Sequence, residues 1–84
     1  MKSLDTLDGF EDIHLVAAAS YFGIPIESID RTSAYGKVTF YFCKSKELDE
    51  LVRSYWNGSV AVEPRRFAYC IRDIKARINT RNID

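Results

Sequence analysis

The sequence predicts a small α+β domain, a two-layer sandwich in which an antiparallel hairpin packs against helices in the order α-β-β-α-(β)-α. Two patterns lead to this prediction. Apolar residues recur at helical spacing in three segments, and one segment between them alternates between apolar and polar positions. The chain of 84 residues is also too short for a second hydrophobic core. We therefore expect a single domain over residues 1–84, with residues 1–8 and 80–84 loosely ordered.

The first predicted helix begins at residue 9 or 10, with Asp8 as its N-cap candidate, and ends at Gly23. Its apolar residues cover more than half of the helical circumference, so we expect it to be largely buried. Phe22 belongs to the buried side in this projection, whereas Ala18 falls outside it.

A β-hairpin is predicted next. Residues 24–33 have an extended pattern and form the first strand. In the second strand the apolar residues Val38, Phe40 and Phe42 occupy every second position. The turn at residues 33–36 ends in a glycine, which suits a positive φ. A two-stranded hairpin is marginal in water, so helices must cover its apolar face. Tyr41 would then project from the opposite face, which is open either to a partner or to solvent.

Two amphipathic helices complete the fold. Ser45 is expected to cap the second helix, which ends at the pair 57–58, Asn-Gly. Pro64 opens the third helix, and the β-prone residues 60–62 before it form either a third strand or a connector. The third helix buries residues that are spaced along one helical face: Phe67, Cys70, Ile71, Ile74 and Ile78.

The composition excludes several classes of protein. Hydrophobic residues make up 46% of the chain and the formal net charge is zero, which argues against a disordered chain and against a uniformly basic nucleic-acid-binding protein. The charge is nevertheless divided, because residues 1–30 are mainly acidic and residues 65–84 mainly basic. The two ends either neutralise each other in the fold or form a bipolar surface that orients a partner.

The sequence carries no sign of secretion or of membrane insertion. Cys43 and Cys70 form no CxxC pair and are too few for a disulfide framework, so we expect both to be reduced. No apolar run fits a signal peptide, and none approaches the roughly 18 residues of a membrane span. We expect a soluble cytoplasmic protein with no membrane partner.

No pattern indicates catalysis, a metal or a cofactor. His14 is the only histidine, and no spacing brings a cysteine or a carboxylate to it. Asp49 and Glu50 are adjacent on the second helix, about 100° apart, so they do not converge on one bond and are interpreted as solvated. The glycines stand singly at ends and turns, which excludes a phosphate-binding loop. We expect no enzymatic activity and no cofactor.

The strongest candidate for a functional surface is the side of the third helix opposite its apolar stripe. Arg65, Tyr69 and Arg72 form a row there, flanked by Arg66 and Lys75. Guanidinium groups around an aromatic ring bind phosphates and stack on a base, or bind carboxylates at a protein interface. The same row is otherwise a solvated face.

Two further aromatic residues are candidates for partner binding. Trp56, at the end of the second helix, is either an anchor for a partner or a cover for the core. If the row on the third helix is instead a solvated face, we expect Asp73 to pair with Arg77 or Arg66. The complete set of candidate partner-binding residues is Arg65, Arg66, Tyr69, Arg72, Tyr41 and Trp56.

The order of these motifs resembles a family of short, uncharacterised proteins from bacteria and their phages, described only as a domain of unknown function. The likeness covers roughly residues 12–78, and no residue inherits a role from it. It implies a phage or mobile-element context. The residues that carry it are Asp12 before Ala17-Ala18, Phe40 and Phe42, Leu48-x-x-Leu51-x-x-x-Tyr55-x-x-Gly58, and Val62-x-Pro64-x-x-Phe67 with Ile71, Ile74, Lys75 and Ile78.

These observations favour a non-enzymatic binding module of a phage or mobile element that acts by docking onto a host or phage protein. Inhibition of a host defence complex is one instance of such a role. The first alternative is a nucleic-acid-binding module that uses the basic third helix. The second is a structural homodimer formed through the free sheet edge or the open sheet face.

Overall fold

A sheet and a set of helices form two layers in the computed structural model, which describes residues 6–32 and 35–79. The predicted α+β class is confirmed. Within the described residues the elements are β1 (Leu7–Phe10), α1 (Ile13–Tyr21), β2 (Ser28–Asp30), β3 (Thr39–Cys43), α2 (Lys46–Asn57) and α3 (Pro64–Asn79).

β3 is the central strand of the sheet, which has the order β1-β3-β2 and is antiparallel throughout. Ile29 of β2 and Phe10 of β1 both lie opposite Phe40. The predicted hairpin is therefore confirmed as the pair β2 and β3. Gly36 has the predicted positive φ, 76°, whereas residues 33 and 34 of the predicted turn lie outside the described part of the chain.

The start of the chain differs from the prediction. Residues 7–10 form a strand rather than the lead-in and first turn of a helix, and Asp12 rather than Asp8 caps α1. The expectation of loose order is therefore wrong for Leu7 and Asp8, which pair with β3. Strand β3 offers a second edge of backbone hydrogen-bonding groups, and pairing with that edge outweighs the weak local pattern of this segment. Residues 1–5 and 80–84 lie outside the described residues.

Helix α1 is buried on more than one side, because it packs against both α2 and α3 and contributes to the same core as β3. All residues from Leu15 to Ala19 are buried. The prediction for Ala18 is therefore wrong, since only 1% of it is exposed. The prediction for Phe22 is also wrong, because this residue follows the helix as its C-cap and is 50% exposed.

The core lies between the sheet and the helices. Phe40 and Phe42 are fully buried there, together with Val16, Leu48 and Ile74. The predicted apolar stripe of α3 is confirmed, because Ile74 is in the core and its neighbours along the stripe pack against it. Tyr41 points to the other face of the sheet, as predicted from the alternation, and is partly exposed.

The caps of α2 are also as predicted. The Ser45 side chain accepts a hydrogen bond from the N–H of Leu48 (3.0 Å), and Gly58 ends the helix with a φ of 75°. Of the two alternatives for residues 60–62, the structure has the connector, and β1 is the third strand instead. None of the helices that the structure describes combines the length and apolar character needed to cross a membrane.

Candidate partner-binding surfaces

Glu63 fixes the start of α3. Its carboxylate accepts hydrogen bonds from the backbone N–H groups of Arg66 (2.8 Å) and Arg65 (3.1 Å). These two bonds hold the pKa of Glu63 below its usual value. Its own N–H donates to the Tyr21 hydroxyl (2.9 Å), which ties the helix start to α1. The N–H groups of the first turn are thus partly engaged by a carboxylate of the chain itself.

The side of α3 opposite the core carries a continuous basic surface, which we call the α3 stripe: Arg65, Tyr69, Arg72 and Lys75. All four residues are exposed. At about 100° per residue Arg65, Tyr69 and Arg72 lie roughly opposite the buried Ile74, and Lys75 lies at the edge of the same surface. The stripe contains three positive charges and no carboxylate, so it is a pronounced patch on a protein of zero formal net charge.

Tyr69 is the aromatic member of the α3 stripe, and 57% of it is exposed although it lies within the helix. The guanidinium carbon of Arg72 lies 5.4 Å from the centroid of its ring. This distance is within the range of a cation–π contact. The two side chains therefore form a single aromatic and cationic platform, with Arg65 one turn away towards the start of the helix.

Arg66 does not belong to this surface, although the sequence grouped it there. Its guanidinium carbon lies 4.4 Å from the centroid of the Tyr21 ring, and its Nη1 donates to the Tyr21 hydroxyl (3.4 Å). The side chain is thus directed towards α1. It stabilises the contact between α1 and α3 rather than extending the stripe.

Tyr41 and Trp56 lie on other parts of the molecule. Tyr41 is on the outer face of the sheet, where its ring covers Gly9. Trp56 is 68% exposed at the end of α2 and packs edge-to-face on Tyr55, with 5.0 Å between ring centroids. Trp56 therefore does not cover the core. The structure brings together Arg65, Tyr69 and Arg72, and it separates the other three candidates from them.

Two ion pairs join lysine or arginine side chains to carboxylates among the described residues. Asp73 pairs with Arg77 (3.4 Å), which is the pair expected if this side of α3 is a solvated face, and Glu11 pairs with Lys37 (3.9 Å). Within residues 6–32 and 35–79, no ion pair joins α3 to a carboxylate of the first thirty residues.

A second surface feature is a groove of about 620 Å³ between the α1–β2 connection, α2 and the connector 59–63. Sequence reasoning missed it and interpreted Glu50 as part of a solvated face. The i, i+4, i+7 spacing of Glu47, Leu51 and Ser54 was the available signal, because it places them on one side of α2. The groove is lined by Phe22, Gly23, Ile24, Pro25, Ser45, Glu47, Glu50, Leu51, Ser54, Ser59, Val60 and Ala61.

In the part of the chain that the structure describes, no three His, Cys, Asp or Glu side chains gather in a way that could hold a metal ion. Cys43 and Cys70 are both unpaired thiols, and the Cys43 thiol donates to Glu27 (3.2 Å). The α3 stripe and the groove each present several side chains for contact with another molecule.

Comparison with known proteins gives a family and no function. The family model described as Domain of unknown function (DUF5659) matches residues 9–80, and the chain belongs to this family. The match confirms the resemblance found in the sequence to an uncharacterised small-domain family. No curated protein and no solved structure matches the chain.

Proposed function

We propose that this protein is a non-enzymatic cytoplasmic binding module of a phage or mobile element, and that it docks its α3 stripe onto an acidic surface of a host or phage protein. Inhibition of a host defence complex is one instance of this role. The observation that carries the proposal is the exposure of Tyr69, 57%, beside the Arg72 guanidinium. The phage context comes from the family resemblance alone.

The side chains of the α3 stripe are of the types that dominate protein interfaces. Tyrosine and arginine are enriched among the residues that contribute most to binding. The cation–π contact between Arg72 and Tyr69 restrains both side chains before a partner arrives, which reduces the entropy lost on binding. Three positive charges without a carboxylate favour a negatively charged partner surface and speed the encounter with it.

A protein partner suits this surface better than a nucleic acid. Arg72 already contacts the Tyr69 ring, so a base that stacked on the same face would have to displace it. The Glu63 carboxylate also occupies the first turn of α3 next to Arg65, where it would repel a phosphate. The zero formal net charge of the chain points in the same direction.

Quantitative affinity purification from host lysate tests the proposal when variants are compared in parallel. We expect the wild-type protein to retain a stoichiometric partner that is lost with Tyr69→Ala and with Arg65→Ala/Arg72→Ala. Loss of an interface residue of this kind costs about 2 kcal/mol, or roughly 30-fold in affinity. Arg53→Ala is the matched control, because Arg53 is an exposed arginine on a different helix. Equal recovery with all variants, or no partner at all, would contradict the proposal.

The two alternatives, a nucleic-acid-binding module and a structural homodimer, predict different results. Fluorescence anisotropy with labelled DNA and RNA at two salt concentrations would detect nucleic-acid binding, and Arg65→Ala/Arg72→Ala should then reduce the salt slope by about 2. A structural homodimer would show a mass that rises with protein concentration in sedimentation experiments. Absence of both effects would exclude these two alternatives and leave the affinity purification to decide between docking onto a different protein and a solvated face.

A further inference from the structure

We propose that the groove between Phe22 and α2 is a second binding site, and that it takes a peptide segment with a lysine or arginine beside an apolar side chain. The groove uses different elements from the α3 stripe. The inference therefore goes beyond the proposed function and stands or falls separately from it.

The inner part of the groove is apolar and already formed. Leu51 is only 8% exposed and Phe22 is 50% exposed, so one lies at the base of the groove and the other presents a ring to solvent. Ile24 and Val60 are partly buried beside them and pack against the core. A volume of about 620 Å³ accommodates more than one apolar side chain of a partner. Covering Phe22 would remove an exposed apolar surface from water, which favours binding.

The charge of the groove selects a basic occupant. Both ionisable residues of its lining, Glu47 and Glu50, are carboxylates, and no lysine or arginine lines it. Neither carboxylate takes part in an ion pair with any residue in 6–32 or 35–79. They lie three residues apart on α2 and therefore flank the same part of the groove. A cationic side chain placed next to the apolar contacts would complement them.

A peptide fits the groove better than a small molecule. The groove is open to solvent, as the exposure of Pro25 and Ala61 indicates, whereas small ligands usually have about 70–90% of their surface buried. The connector also offers backbone groups. Among the described residues, its backbone hydrogen bonds stop at Ser59, which donates to the Ser54 carbonyl (2.9 Å), and resume at Glu63. The backbone between these two residues is available to pair with another chain.

Selection from a library of short random peptides on the immobilised protein tests this inference directly, because the library samples the chemistry of the occupant rather than one chosen partner. We expect enrichment of peptides that place lysine or arginine next to an apolar residue. The best peptide, added to isotopically labelled protein, should shift the backbone amide signals of Phe22, Ser54, Val60 and Ala61. It should also bind more weakly as the salt concentration rises.

Two variants and a control assign the binding to the groove. Glu47→Gln/Glu50→Gln should weaken the peptide about tenfold, because two partly screened ion pairs are lost. Asp49→Asn, an exposed carboxylate of the same helix that does not line the groove, should leave the affinity unchanged. Ala61→Phe should block the groove from an exposed position without removing a core contact. No enrichment, amide shifts confined to the α3 stripe, or an affinity that none of the groove variants changes would each overturn the inference.

Discussion

The Tyr55 hydroxyl donates a hydrogen bond of 2.9 Å to Oδ2 of Asp12. The other oxygen of the same carboxylate, Oδ1, accepts from the backbone N–H groups of His14 (2.9 Å) and Leu15 (3.2 Å) and so caps α1. Partial burial, together with this contact to Asp12, raises the pKa of Tyr55. One carboxylate therefore joins the first turn of α1 to the last turns of α2.

Asp12 both caps α1 and accepts a hydrogen bond from Tyr55. Substitutions of these two residues should therefore lower the stability by unequal amounts that do not simply add. Tyr55→Phe should lower the free energy of unfolding by about 1 kcal/mol, because it removes one partly exposed hydrogen bond. Asp12→Ala should lower it by about 2 kcal/mol, because it removes the cap as well. In urea denaturation the double variant should lose less than the sum of the two effects. Strict additivity would show that the contact contributes nothing to stability.

Glu63 predicts an acid-sensitive start of α3. Folding lowers the pKa of this carboxyl group, so its contribution to stability is complete above the ordinary glutamate pKa of about 4.3. The contribution is lost as the pH falls through the lower pKa of the folded state. Glu63→Gln should therefore lower the melting temperature at neutral pH, and the difference from the wild type should shrink below about pH 4.

Thermal unfolding followed by circular dichroism between acid and neutral pH measures this effect. Glu50→Gln, which removes an exposed carboxylate from another helix, is the surface control measured alongside. A Glu63→Gln protein that is destabilised equally at every pH would show that the carboxylate charge is not what stabilises the helix start.

The elements that could be predicted from the sequence are those whose signals are local. The caps Ser45 and Gly58 and the spacing of apolar residues define α2 within its own segment. Strand β1 has no comparable signal, because its conformation depends on pairing with β3 about thirty residues later. The burial of Ala18 has the same origin, since a helical projection assumes one covered side and α1 is covered by two helices as well as the sheet.

The same difference between local and long-range signals applies to the candidate surfaces. The α3 stripe follows from the periodicity of a single helix, so the sequence placed Arg65, Tyr69 and Arg72 together. The direction of Arg66 depends on Tyr21, which is 45 residues earlier in the chain. The groove is formed by residues 22–25 together with segments of α2 and the connector that follow more than twenty residues later, and no local pattern shows that Phe22 and Val60 line the same space.

Gly9 is required by the close approach of β1 and β3. A Cβ atom at this position would lie 2.7 Å from Cε1 of Tyr41 and 2.9 Å from Cγ2 of Thr39. We expect Gly9→Ala to destabilise the protein by about 1–3 kcal/mol in urea denaturation, because the Tyr41 ring must move or the strands must separate. Gly9→Ala should cost less in a Tyr41→Ala background than in the wild type, because only the contact with Thr39 then remains.

Ser28→Ala is the control for this prediction, because Ser28 lies opposite Tyr41 on the other neighbouring strand and already carries a Cβ atom. Its effect on stability should be small. If Gly9→Ala is as stable as the wild type, the Tyr41 ring does not pack over Gly9 in solution.

Ile74 and Tyr69 lie on opposite sides of α3 and should separate stability from binding. Ile74 is fully buried, so Ile74→Ala should lower the free energy of unfolding by about 3 kcal/mol through lost contacts and the cavity left behind. Tyr69→Ala removes a mostly exposed side chain and should change stability by only about 0.5 kcal/mol. The affinity for the partner, measured where both variants are fully folded, should show the reverse order. Tyr69→Ala should lose much of the affinity, and Ile74→Ala should lose little. A Tyr69→Ala protein that unfolds as readily as Ile74→Ala would place the ring in the packing of the fold, and the α3 stripe would then lose its central binding residue.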